Sequence, residues 1–67
     1  MRMTLENYLS LQGNTAIRLA YKLGRSRETI RRWLGDDQLT VIVVMDEKSN
    51  LKHVEVGGRV KIVKAVR

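Results

Sequence analysis

The 67-residue chain contains no cysteine, no proline and no phenylalanine, and its only aromatic side chains are Tyr8, Tyr21 and Trp33. Without cysteine there is no disulfide framework and no thiolate-held zinc to staple a small fold. The single histidine, His53, has no second His or Cys to share a metal with, and reads as a surface residue on a strand beside Lys52 and Glu55. The amino-terminal stretch MRMTLENYLS lacks the apolar run of a signal peptide, and no segment reaches membrane-spanning length, so a cytoplasmic protein is expected. Phosphate-binding glycine loops, nucleophile elbows and triad patterns are missing too. Gly57-Gly58 is too short for nucleotide binding, and Asp36-Asp37 reads as a solvated turn without a base or nucleophile beside it. Neither catalysis, a cofactor nor a small-molecule substrate is expected. A chain this short buries only a marginal core, and cores without staples often rely on a second copy.

Acidic residues are scarce in one stretch. The net charge is +6, and between Arg18 and Arg32 six cations (Arg18, Lys22, Arg25, Arg27, Arg31, Arg32) face one acid, Glu28. The rest of the chain, with seven cations and six acids, is nearly neutral. Glu28 can pair with Arg31 or Arg32 and leaves the others unmatched. Charge concentrated this way points to a polyanion-binding face rather than a solvated helix laced with ion pairs.

The same stretch carries the clearest structural signal. Leu19, Ala20 and Leu23 repeat at helical spacing, and so do Ile30, Trp33 and Leu34, with Ser26 placed as N-cap of the second helix. Gly24 tolerates positive φ and lets the chain turn between them, and Ala20 is small where the helices must cross. A short glycine turn joining two helices, the second basic outside, is a helix-turn-helix unit.

Before it, Thr4 caps a first helix whose inner side is Leu5, Tyr8, Leu9 and Leu11, Tyr8 being a core residue with its hydroxyl at the edge. Gly13 stops this helix, Asn14 or Thr15 caps the next, and Arg2 to Thr4 can add a short strand in front. After Leu34 the texture changes. GDDQ is a turn, LTVIVVM (39–45) and LKHVEV (51–56) read as strands joined by the polar loop DEKSN, and Gly57-Gly58 leads into a third strand-like segment, RVKIVKAVR (59–67). The expected fold is α+β: a single domain over residues 1–67, with helices over about 4–34 followed by a small antiparallel sheet, hairpin plus third strand, over about 39–67. The first strand is apolar on both sides, so one side needs cover from the last strand wrapping back or from a second subunit. A homodimer is expected, with Ile42, Val44, Val54 and Val56 at its interface.

The segments MTLENYLSLQG and LAYKLGRSRETIRRWL, followed at once by a strand hairpin, resemble the Cro-type phage repressors, a likeness reaching to about Val56. Ala20, Gly24 and Ile30 stand where that family has its small residue, turn glycine and buried aliphatic. Arg25 replaces the family's apolar residue after the turn, and the chain ends in a strand-like segment rather than a basic tail. The resemblance implies that Ser26, Arg27, Glu28, Arg31 and Arg32 read DNA bases, while Asn14, Thr15, Lys22 and Arg25 meet phosphates. The chemistry agrees: arginine donates twice to guanine, and Glu28 can accept from cytosine N4. Thr29 lies on the flank and meets protein instead. The function expected is a sequence-specific regulator that binds a palindromic operator in double-stranded DNA as a dimer and acts as a repressor. Two rivals share these features: an excisionase-like architectural DNA binder, and an antirepressor- or antitoxin-like module that uses its apolar strands to bind protein.

Overall fold

The chain opens with a three-residue strand, β1 (Arg2–Thr4), that leads straight into α1 (Leu5–Ser10). Thr4 makes the switch: its backbone is extended (φ −68°, ψ 156°), and its hydroxyl accepts the Asn7 N–H at 3.2 Å, satisfying one of the helix's unpaired donors. There follow α2 (Ala16–Leu23), α3 (Arg27–Gly35), β2 (Val41–Met45), β3 (Leu51–Val56) and β4 (Lys61–Lys64). The computed structural model describes residues 1–57 and 61–66, so Gly58, Arg59, Val60 and Arg67 of the expected turn and last strand lie outside the described residues. No described helix is long and apolar enough to cross a membrane.

The fold is α+β, but the sheet does not simply follow the helices. β1 precedes them and pairs with β2, giving a four-stranded antiparallel sheet in the order β1-β2-β3-β4. α1 is shorter than its glycine stop implied. It ends at Ser10, Leu11 is exposed, and Gly13 takes φ +87° in the turn beyond. β2 starts at Val41 rather than Leu39, because the Leu39 N–H is used by the Asp36 carbonyl at 3.1 Å. The β2–β3 loop is closed by Asp46, whose Oδ1 accepts the N–H groups of Lys48 and Asn50, both at 2.9 Å. Those bonds favour the charged form and hold the Asp46 carboxyl below its ordinary pKa.

Register decides which strand residues reach the helices. Met3, Val43, Val54 and Val63 are opposite one another across all four strands, and Val41 is opposite Val56. All six lie in or against the core with Leu5, Tyr8, Leu19, Leu23 and Ile30. Leu19, Ile30, Val43 and Val54 are fully buried, and each contributes about 1.5–3 kcal/mol of apolar transfer. Val54 and Val56 therefore do not belong to a dimer interface: they face this chain's own helices. Leu34 is also misplaced by the sequence pattern, since it stays 37% exposed at the end of α3.

The alternate residues make the outer face, where Ile42 is opposite Glu55 and Glu55 opposite Ile62, while Arg2, Val44, His53 and Lys64 form the adjacent row. The second apolar side of β2 finds part of its cover here. Arg2 reaches from β1 across β2 and grips the Glu55 carboxylate with both Nη atoms, at 3.0 and 2.5 Å. His53 Nε2 lies 3.3 Å from Glu55 Oε2. Glu55 is only 6% exposed and Val44 9%. His53 is thus half-buried against the Glu55 carboxylate rather than a plain surface residue. The last strand extends the sheet at β3 and does not wrap back over it.

Candidate nucleic-acid interface

The turn between α2 and α3 is built by backbone bonds that only a left-handed residue permits. Gly24 sits at φ 66°, ψ 29°. The Arg25 N–H reaches back to the Ala20 carbonyl at 2.9 Å and the Gly24 N–H to Tyr21 at 3.2 Å, the double closure of a Schellman motif. Ser26 then restarts the chain. Extended at φ −84°, ψ 157°, it accepts the Thr29 N–H on its hydroxyl at 3.3 Å, and the two hydroxyls lie 3.2 Å apart. Thr29 is thus occupied within the protein, and Ser26 stands at the exposed amino end of α3, where backbone N–H groups and the helix dipole favour negative charge. Ala20 is buried where α2 packs on α3, and Ile30 anchors α3 to the core.

On the opposite side of α3, Arg27, Glu28, Arg31 and Arg32 are all exposed. Among the described residues the ion pair joins Arg2 to Glu55, His53 lies against the same carboxylate, and neither contact involves this ridge. Glu28 therefore leaves Arg31 and Arg32 without an ion pair among the described residues, both arginines are exposed, and β4 lies at the edge of the sheet. Arg27 and Arg31, one turn apart, project from one stripe.

The residues expected at phosphates divide. Thr15 is the N-cap of α2, its hydroxyl accepting the Arg18 N–H at 3.2 Å, and Arg25 is exposed just past the turn. Lys22 is half-buried in the last turn of α2. Asn14 is engaged elsewhere: its side-chain N–H donates to the Tyr8 carbonyl at 3.1 Å and closes the α1–α2 turn. The chain matches no family model, and neither curated proteins nor solved structures yield a match. The interface accordingly rests on its own geometry.

Sequence reasoning missed one support of this unit and one clamp on the far face of the sheet. Val66 donates its N–H to the Lys22 carbonyl at 2.8 Å and lies so close behind Gly24 that an added Cβ there would fall 2.9 Å from Val66 Cγ2. No local pattern marks that contact, because it joins the chain's end to its middle. The Arg2–Glu55 clamp was partly legible: Glu55 alternates with Val54 and Val56, which puts a carboxylate on the face opposite the core. Its partner, however, comes from 53 residues away.

Proposed function

We propose that the chain is a sequence-specific DNA-binding regulator that lays α3 in the major groove and acts by occluding a promoter. The observation that carries this reading is the ridge of Arg27, Arg31 and Arg32, exposed, without ion pairs among the described residues, and held by a Schellman turn and a serine cap. Arg27 and Arg31 read bases by donating to guanine O6 and N7, Glu28 and Ser26 take part at the groove edge, and Arg32 adds charge and contact. Thr15, Lys22 and Arg25 meet phosphates and fix register. A two-fold homodimer would place half-sites about 34 Å apart. Its interface falls on the outer sheet face around Ile42 and Val44, or on a free sheet edge, since Val54 and Val56 are spent in the core.

Selection from random double-stranded DNA tests the reading. An enriched inverted repeat whose binding weakens steeply with salt is expected. A pool with no enriched sequence, or affinity indifferent to salt, would overturn it.

A further inference from the structure

Two surfaces play no part in that DNA-reading ridge. On α2, Ile17 and Tyr21 are 61% and 63% exposed and stand one turn apart, opposite the buried stripe of Leu19, Ala20 and Leu23. Arg18 and Lys22 flank them, and α2 carries no acid. The second surface is the cleft where the end of α3 meets the starts of α1 and β2. Trp33, Leu34 and Leu39 line it together with Glu6, Asp36 and Asp37, and among the described residues no lysine or arginine does. Three of the chain's seven acids thus gather in a molecule of net charge +6, beside half-buried and exposed apolar side chains. Each surface joins apolar groups to charge of one sign, and the signs are opposite.

We propose that the α2 ridge of one copy docks in the α3-end cleft of the next, so that the chain associates head to tail. Ile17 and Tyr21 cover Leu34 and Leu39, while Arg18 faces Asp36, Asp37 and Glu6, and Lys22 stays with the DNA phosphate. A second copy is the occupant because this chain supplies the complementary acidic and apolar surface itself, at equal concentration. The ridge and the cleft are different surfaces, so the contact is heterologous. It leaves one of each free at the ends and builds an open row, through surfaces distinct from the outer sheet face or sheet edge that a two-fold pair would use. On DNA, and here the inference rests on the proposed function, the row would fill neighbouring sites together.

The free protein tests the contact without DNA. In low salt, sedimentation at increasing concentration, up to about 1 mM, should show species that grow without a fixed limit and shrink as salt is added. The fluorescence of Trp33, the only tryptophan, should change in parallel because the cleft becomes covered. Ile17→Asp and Asp37→Lys, both at exposed positions, should each abolish the growth. Mixing the two variants should restore a one-to-one contact, because the first keeps its cleft and the second its ridge. No growth in the unaltered protein, growth that survives Asp37→Lys, or no rescue on mixing would each overturn the contact; growth removed by Ile17→Asp alone would assign the ridge a different occupant. Because DNA is absent, none of these results depends on the DNA-binding reading, and loss of DNA binding would leave the contact standing.

Discussion

Gly24 shows how much rests on a single position. Its φ of 66° lies where a β-carbon costs about 1–2 kcal/mol, and the nearest atom behind it is Val66 Cγ2. Gly24→Ala should therefore lower the melting temperature by roughly 4–8 °C per kcal/mol lost. Combining it with Val66→Ala should recover only the small part due to the contact, since the backbone strain stays; thermal denaturation of the three variants separates the two. At Arg31 the expected loss is of binding rather than of stability. Arg31→Ala should weaken DNA binding by about 1–3 kcal/mol and relax preference at one base position, as read by titration against single-base variants of the selected site. An unchanged sequence preference would remove Arg31 from the base-reading set. Both residues were marked by the sequence, because a lone glycine between two apolar helical stripes and an unmatched arginine are local signals.

At the scale of the element, α3 depends on its two ends and its one buried face. Ser26→Ala removes the acceptor of the Thr29 N–H and should cost about 1 kcal/mol of stability, measured by denaturant unfolding. α1 depends instead on Tyr8, which burial drives above its ordinary pKa near 10. With the folded value raised, the phenol is protonated in both states below pH 10. Stability is then undiminished, and it falls as pH rises from the unfolded value through the folded one. Tyr8→Phe should flatten that alkaline loss in unfolding curves measured across pH 9 to 12. β1 is the element least visible in the sequence. Three residues carry no periodic signal, and the strand is held by pairing to β2 and by the grip of Arg2 on Glu55, which raises the arginine's already high pKa. Arg2→Ala should lower the melting temperature and speed amide exchange in β1 before it does so in β3.

For the whole molecule, the asymmetry of charge is the quantity to measure. The slope of log affinity against log salt should fall by about one when Arg25 is replaced by alanine, with sequence preference unchanged, as expected of a phosphate contact. The two-sided apolar pattern of β2 calls for cover on its second side, from the last strand or from a second subunit. One side is met by the helices, and the other is partly closed by a polar cluster of Arg2, His53 and Glu55 drawn from β1 and β3. Apolar patterning reports that a side chain needs cover, and only packing identifies what provides it.

The sequence by itself determined the helical pair, the caps of α1 at Thr4 and of α3 at Ser26, the glycine turn and the strand at 51–56, and it narrowed the α2 cap to Asn14 or Thr15. Each follows from interactions within a few residues, or from a periodicity that local backbone geometry imposes. The tertiary structure alone decided that the short strand at Arg2–Thr4 pairs with β2, that Val54 and Val56 turn inward, that Glu55 lies gripped on the outer face, and that Val66 backs Gly24. Those outcomes depend on strand register and on contacts between distant parts of the chain, and a one-residue change of register would have sent every strand side chain to the other face.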